Sequence, residues 1–562
     1  MASTSTEGVP VPEGFVLHTE NTSHLLLDAN AAFLNPVQEF NRDLSVASIR
    51  VWSEELNRKK EEQWRKTQEQ KLKKKAKEHS AKRLKEDPSG ADTTTQSKEA
   101  ETEELLAPSN PPTYHPYRFT LLEALSATGL RSIRYAKEIP LLKQVVANDL
   151  SPAAVEAIHR NVNYNGLGDT ITTAEDGSTK VTPGKVKINE GDACSLMYQH
   201  REERLRVDAI DLDPYGSAAP FIDGAVQAVK DGGLLCVTCT DLSVLATNNY
   251  PEKCYSNYGG VSLKAEYCHE AALRLVLHAI ATSAARYGRY VKPLLSLSID
   301  FYLRVFVQID SSPMEVKRLL PKTSTIYVCP SCQTFYDQPL GRVIEKLHEK
   351  SGSVNYLFKT QQNVVPHKCE ECGTGLHVAG PMWNGPIHDS NFVEKVLGHL
   401  ETNFDRYGTA TRMKGMLTVA KEELNTLFYF TPATISSFFH CQTPSLDNIA
   451  SGLLNAGFKI SRSHAAPGSL KTTASIVDVH DIFRGWIKNN PVNLDKLSIN
   501  SPARALLAKE PRFLADFTRH PDSVTSSSKV KLVRYQENPT SHWGPGRKAT
   551  GKRKRSDEEA AS

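Results

Sequence analysis

Between about residues 113 and 327, short apolar runs alternate with stretches whose apolar positions recur every three or four residues. That is the pattern of strands and helices laid down in turn. FTLLEAL (119–125) and KQVVAND (143–149) read as the first two strands, with RSIRYAKEI (131–139) as the helix between them. SPAAVEAIHRNVNYN (151–165) reads as a second helix, in which Ser151 is a fitting cap and Pro152 a fitting first residue. KVKINEGDA (185–193) leads out of a third strand, VDAIDLD (207–213) is a fourth and GGLLCVTCTD (232–241) a fifth. A long helix spans 263–288, and the apolar run 294–309 supplies late strand material. Strands and helices in strict alternation predict an α/β fold built on a parallel sheet.

The pattern changes outside this core. FLNPVQEFNRDLS (33–45) mixes apolar and specific polar residues and reads as an ordered arm, whereas 54–86 is rich in Lys, Glu and Gln without Gly or Pro, an exposed helix. DPSGADTTTQSKEAETEELLAPSNPP (87–112) has the composition of a disordered linker. The chain is therefore divided into an N-terminal arm that contributes to the core's ligand site (1–50), a charged helical and disordered insertion (51–112), the α/β core (113–327), a cysteine-bearing segment (328–378), a smaller C-terminal α+β unit (379–500) and a basic, largely disordered tail (501–562).

Charge sharpens this division. The net charge of +4 is mild, but residues 54–86 hold 13 Lys/Arg against 7 Glu, and RKATGKRKR (547–555) holds six basic residues and no acidic one. Basicity confined to segments points to a polyanionic partner or an import signal. No apolar run of about 18 residues is seen, so no membrane span is expected. The first basic residue is Arg42, which does not fit an Arg-rich transit peptide. The tail GKRKRSDEE favours the nucleus, with a mitochondrial or cytoplasmic pool left open.

The strand ends carry the candidate chemistry. The first turn, Ser126-Ala127-Thr128-Gly129-Leu130-Arg131, has one glycine where a ligand can approach the backbone at a helix start. The three-glycine dinucleotide fingerprint is missing, which weakens a dehydrogenase reading. Asp149 ends the second strand, where a carboxylate can accept both hydroxyls of a ribose. Asp192 and Ala193 follow the third strand, placed to meet an adenine edge. Asp213-Pro214-Tyr215-Gly216 ends the fourth. The exocyclic amine of a base is a poor nucleophile because its lone pair is delocalised. A carboxylate and a proline carbonyl can accept its N–H bonds while an aromatic ring stacks on the base. In this order the signals read as an S-adenosylmethionine-dependent methyltransferase acting on an amino group. Asp211 shares a strand face with Asp213 and reads as structural. His269, inside the long helix, reads as a packed histidine.

Four of the ten cysteines form two C-x-x-C pairs, Cys329/Cys332 and Cys369/Cys372. Four thiolates supply a closed tetrahedral shell for a structural zinc, and the 36 residues between the pairs demand a loop or hairpin. Cys236 and Cys239 have the same spacing, but in a strand they point to opposite faces and read as core residues.

FLNPVQEFNRDLS, LSATGLRSIRYAKE, NDLSPAAV, IDLDPYGSAAPFID, CHEAALR (268–274), GPMWNGPIHD (380–389) and GFKISRSHAAPGSLKT (457–472) together resemble the tRNA guanine-26 N2-dimethyltransferase family. The likeness covers about 33–49 and 117–480 and skips 50–112. It implies a Rossmann-like class I methyltransferase sheet with a zinc-knuckle insertion, S-adenosyl-L-methionine as donor of two successive methyl groups to N2 of guanine 26, and tRNA as partner bound by the C-terminal unit 379–500, with no obligate protein partner evident. Arg42 and Arg131 would contact the cofactor, Asp149 its ribose and Asp192-Ala193 its adenine. Asp213 would be the catalytic carboxylate, with Pro214 and Tyr215 beside it. Where many relatives carry Phe after the proline, this chain has Tyr215, and both rings stack. Two other readings use the same residues: an amino-methyltransferase for adenine N6 or a protein glutamine, and a non-catalytic RNA-binding protein or chaperone on the same fold.

Overall fold

A computed structural model of the chain describes residues 11–28, 34–86, 112–173, 179–349 and 351–530. Most of the linker 87–112 and the basic tail segment 547–555 lie outside them.

The hairpin of β1 (Phe15–Glu20) and β2 (Ser23–Asp28) is followed by α1 (Glu39–Glu86), a single helix that runs from the end of the arm through the charged stretch. It runs unbroken because no Gly or Pro interrupts 39–86. Core elements follow in turn: β3 (Phe119–Glu123), α2 (Leu130–Glu138), β4 (Leu142–Asp149), α3 (Pro152–Tyr164), β5 (Val186–Glu190), α4 (Ala193–Gln199) and β6 (Val207–Leu212). After them come α5 (Ala219–Ala228), β7 (Val229–Cys239), α6 (Cys268–Ala285), β8 (Arg289–Ile299) and β9 (Tyr302–Ser311). As expected, Ser151 caps α3, its hydroxyl accepting the Ala154 N–H, and Pro152 opens the helix.

The sheet has seven strands in the order β8-β9-β7-β6-β3-β4-β5. β5, β4, β3, β6 and β7 are parallel, and β9 is antiparallel to both neighbours. Strand order reverses between β3 and β6, so their carboxyl ends flank a crevice, the usual ligand position in such sheets. Alternate residues feed two apolar layers. Leu122, Ile210, Leu235 and Val237 face a layer closed by α4, α5 and α6. Leu121, Ala209 and Leu234 face a layer closed by α1, α2, α3 and two later helices, α7 (Ser390–Thr402) and α8 (Ala410–Glu422). Cys239 belongs to the first layer and Cys236 to the second, the opposite facing expected of residues three apart in a strand.

The region beyond β9 forms a smaller three-stranded sheet of β10 (Thr323–Val328), β11 (Phe335–Pro339) and β14 (His377–Trp383). The separate hairpin β12 (Gly341–Leu347) and β13 (Val354–Thr360) takes up the long spacing between the cysteine pairs. A third apolar cluster joins the four cysteines to Phe439, Ile449 and Phe483, the last of these on α9 (Ile476–Asn489).

Candidate active site

The first turn is shaped by its hydrogen bonds. The Ser126 N–H reaches the Asn148 carbonyl at 2.8 Å, and the Ala127 N–H donates to Asp149 Oδ2 at 2.8 Å. Gly129 begins α2 with φ +79°, a left-handed conformation that admits glycine readily. Asn148 Nδ2 donates to the carbonyls of Ala124 and Gly191, which ties the ends of β3, β4 and β5 together. Asp149 Oδ1 accepts the Ser151 N–H at 3.0 Å. Each Asp149 oxygen keeps a second lone pair, so the carboxylate can still accept from a diol.

Beneath this turn Glu123 is buried, and the hydroxyls of Ser126 and Ser132 donate to its carboxylate. Burial pushes its pKa up to about 8, with the Asp211 charge adding to the effect. It is a neutral acid at the base of the turn, and nothing in the strand FTLLE had marked it.

At the next strand end Arg131 Nη2 donates to Asp213 Oδ2 at 2.6 Å. Arg131 is buried, while the Asp213 side chain keeps 23% of its surface. Burial pushes the Asp213 carboxyl up, but Arg131 and Arg304 more than offset it and hold the group below its ordinary value. Pro214 is buried and Tyr215 is fully exposed, its ring unpacked beside the carboxylate.

Asp213 and Arg131 are half of a neutral quartet. Arg304 Nη1, from β9, donates to Asp211 Oδ1 at 2.7 Å and to the Thr238 hydroxyl at 2.9 Å. The Tyr135 hydroxyl donates to Asp211 Oδ2 at 2.5 Å, and Arg131 Nη1 lies 3.9 Å from the same carboxylate. Asp211 thus has the structural place expected of it. Ser45 on α1 accepts from Arg304 at 2.8 Å and from Arg131 at 3.4 Å. Two buried arginines and two aspartates balance, which is the condition for holding charge away from water. Tyr302 is buried within electrostatic reach of Asp213 and Arg131. Its hydroxyl has no hydrogen-bond partner among the described residues. An unpaired buried hydroxyl beside a carboxylate, an open diol acceptor and a glycine turn fit a polar ligand.

Other expected site residues stand apart from this quartet. Arg42 Nε donates to both oxygens of Glu20 on β1, at 2.7 and 3.0 Å. Glu20 is shared with Arg134, which also pairs with Asp43 at 2.7 Å, so the hairpin β1–β2 is clamped to α1 and α2. Asp192 caps α4, accepting the Ser195 N–H at 2.7 Å, and Ala193 is buried in the core. His269 is half-buried, 3.5 Å from the Ser298 hydroxyl.

The four cysteines of the two pairs converge and are all buried. Cys329 Sγ is 3.3 Å from Cys372 Sγ, and Cys332 Sγ is 3.6 Å from Cys369 Sγ. Zn–S bonds of about 2.3 Å in a tetrahedron set sulfurs about 3.8 Å apart, so this group fits zinc. The pairs fold alike. In each, the first cysteine's N–H bonds the carbonyl five residues on, and the residue after the second cysteine is left-handed. That residue is Gly373 in one pair and Gln333 in the other. Gln333 is pinned by its side chain, which accepts the Glu266 N–H at 2.8 Å, and its carbonyl accepts the Tyr267 hydroxyl at 3.0 Å. Inside the second pair, Glu371 is buried and accepts from His480 at 2.8 Å, Arg484 at 2.6 Å and Lys509 at 3.1 Å.

A second group, His388, Glu423 and His464, is also buried and close enough to hold an ion. Three of its four imidazole nitrogens are in hydrogen bonds, and His388 Nε2 stands 3.5 Å from Glu423. Ser296 N–H donates to His388 Nδ1 at 3.3 Å and Ser298 N–H to His464 Nε2 at 3.1 Å, so both imidazoles turn their protonated nitrogens toward Glu423. Lys471, fully buried, joins Glu423 at 3.4 Å and Glu270 at 3.2 Å. This group is a latch between the sheet and the C-terminal region.

A seven-stranded sheet of this order, with a glycine turn, a carboxylate and Asp-Pro-Tyr at the ends of β3, β4 and β6, defines a Rossmann-like S-adenosylmethionine-dependent methyltransferase. The model of the family described as N2,N2-dimethylguanosine tRNA methyltransferase matches residues 15–484. The tRNA (guanine(26)-N(2))-dimethyltransferase of Schizosaccharomyces pombe is 45% identical over 534 residues, covering 93% of this chain and 90% of the relative. The mitochondrial enzyme of that name from Saccharomyces cerevisiae is 40% identical over 558 residues, covering 95% and 92%. Among solved structures, Trm1 from Pyrococcus horikoshii with S-adenosyl-L-methionine has a TM-score of 0.57 at 25% identity, covering 82% of this chain and 97% of that one. The chain belongs to the N2,N2-dimethylguanosine tRNA methyltransferase family.

Proposed function

We infer that this protein transfers two methyl groups in succession from S-adenosyl-L-methionine to N2 of guanine 26 in tRNA, giving N2,N2-dimethylguanosine. The observation that carries the reading is an ionised, partly open Asp213 beside the unpacked Tyr215 ring. Guanine leaves its stack, at a cost of a few kcal/mol, and lies on the Tyr215 ring. Its N2 amine donates to Asp213 and to the Pro214 carbonyl, which turns the nitrogen lone pair out of conjugation. S-adenosyl-L-methionine, when bound, would supply the electrophilic methyl group, its S–CH3 bond breaking to leave the neutral thioether S-adenosyl-L-homocysteine. The nitrogen becomes cationic as the methyl arrives, and Asp213 stabilises that charge. A base-ring ammonium is strongly acidic, so a carboxylate held at low pKa by Arg131 still suffices to take the proton on to water.

In this reading Asp149 accepts the cofactor ribose and Asp192-Ala193 border its adenine. Arg131 positions Asp213 while flanking the methionine end. Arg42 reaches the methionine carboxylate only by yielding part of its pairing with Glu20. The four cysteines hold one structural zinc. The C-terminal region and basic segments grip tRNA phosphates. No described helix is long and apolar enough to cross a membrane. The basic run 547–555 supports nuclear import, and the mitochondrial relative supports an organellar pool.

The test is nucleoside mass spectrometry on a tRNA transcript incubated with protein and cofactor. N2-methylguanosine should appear first and N2,N2-dimethylguanosine later, and a transcript with adenine at position 26 should stay unmodified. Methyl groups found on adenine N6, or on no nucleoside at all, would refute the reading.

A further inference from the structure

One of the basic segments takes no part in the methyl transfer itself and has a definite geometry: the outer half of α1. Its inner half is fixed at two levels. Ser45 hydrogen-bonds both arginines of the catalytic quartet. Farther out, Asn57 Oδ1 accepts from the Tyr114 hydroxyl at 2.9 Å and from the Tyr117 N–H at 2.8 Å, and Trp64 packs on Tyr114 with ring centroids 5.7 Å apart. Beyond Trp64 every described side chain is exposed except half-buried Gln68.

Charge is segregated along this rod. In the inner stretch arginines are matched within the helix: Arg58 with Glu55 and Glu62, and Arg65 with Glu61. Residues 70–77 (QKLKKKAK) carry five lysines and no acid. At 100° per residue these lysines spread over about 200° of the helix surface, and Leu72 is the apolar residue in the remaining arc. A helix that docks on protein needs a broad apolar face. A helix surface covered over more than half its circumference by lysine suits a chain of phosphates.

We propose that Lys71, Lys73, Lys75 and Lys77 bind the phosphate backbone of the same tRNA whose guanine enters the active site, at a fixed distance from it. At about 1.5 Å per residue, these lysines lie roughly 39–48 Å along the helix from Ser45. The contact is remote from the target base and carries no base specificity. The i,i+4 pairs Arg58–Glu62 and Arg65–Glu61 support the helix up to the point where its packing on the core ends.

This rests on tRNA being the substrate, and the two ideas fail separately. Wild-type protein that does not bind tRNA sinks the substrate reading, whereas a variant that binds like wild type sinks only the arm. In the full-length protein, Lys71, Lys73, Lys75 and Lys77 are all changed to glutamine, and tRNA affinity is measured from 50 to 200 mM salt. The slope of log affinity against log salt should fall by about 0.9 for each phosphate no longer neutralised. Affinity at the low end should fall by about tenfold or more, with kcat at saturating tRNA unchanged. Lys→Arg at the same four positions should restore both. Gln68→Pro keeps every charge but kinks the rod, and should lose affinity as the glutamine variant does. Unchanged affinity and salt slope in the glutamine variant would overturn the proposal, and wild-type affinity in Gln68→Pro would overturn the fixed distance.

Discussion

Replacing Asp213 by asparagine keeps the side chain's size and one acceptor oxygen but removes its charge. Two full charges about 4 Å apart interact by about 4 kcal/mol at an effective dielectric constant of about 20. About half a charge has developed on the attacking nitrogen at the transition state. The Arg131 guanidinium, 2.6 Å from Asp213 Oδ2, cancels part of the remaining field. About 1–2 kcal/mol is left, so methyl transfer should slow by about 5- to 30-fold. Alanine is a worse probe, because it removes the hydrogen-bond acceptor of buried Arg131 as well as the charge and leaves Asp211 at 3.9 Å. A buried pair broken outright costs about 3–5 kcal/mol. Here Asp213 keeps 23% of its side-chain surface and a second aspartate stays, so about 1–3 kcal/mol of stability should go. The assay is single-turnover methylation of a tRNA transcript at saturating cofactor, with cofactor affinity by calorimetry and stability by urea unfolding. Asp213→Asn should keep its cofactor affinity within a few-fold of wild type and lose the rate. Because Asp213 is held below its ordinary 3.8, it stays ionised and adds no limb to the pH–rate profile between pH 5 and 9. A near wild-type rate in Asp213→Asn would refute the assignment of this strand end as the catalytic centre.

Asp149→Ala should show the reverse order of effects, with cofactor affinity down by about tenfold or more before kcat moves, read by calorimetry and steady-state kinetics. Metal analysis should find about one zinc per chain, and Cys332→Ser should lose it together with the packing of the third apolar cluster, read by near-ultraviolet circular dichroism. Glu123 has a folded value of about 8 against an ordinary 4.5. The native state therefore keeps a proton that the unfolded chain sheds, and stability should fall as pH rises from about 5 to 8. Glu123→Gln should flatten that fall in urea midpoints taken across the range. Removing 547–555 from a fluorescent fusion should abolish nuclear accumulation, and retention in the nucleus would dismiss the segment as an import signal.

The alternation of strands and helices was legible because buried parallel strands must be apolar and the helices between them amphipathic. Asp213 and Asp149 were legible because a carboxylate at the end of an apolar run is conspicuous. Their partners were harder to see. Ser45, Thr238 and Arg304 come from three distant elements, and a serine or threonine in a helix or strand gives no local signal. Arg304 was the readable exception, a lone arginine in the run YLRVFV. The continuity of α1 was also open to reading, since composition changes near residue 50 but no helix breaker appears. His388 and His464 sit inside stretches that resemble the family, yet their positions serve the latch, which only tertiary pairing reveals. Glu371 lies hidden in the same way between two cysteines, where spacing draws attention to the thiols and away from the acid that anchors α9.

The latch also decides how the sheet ends. β8 is an outermost strand, and its outward groups at alternate residues find partners from one distant region: the Leu294 carbonyl accepts the Asp389 N–H, and the N–H groups of Ser296 and Ser298 go to His388 and His464. Side chains and a single amide thus stand in for an eighth strand. A fragment cut after β9 would hold all the strand-end chemistry but expose that border as a template for pairing with other chains. Such a fragment should self-associate, which size-exclusion chromatography of a chain ending after β9 would show.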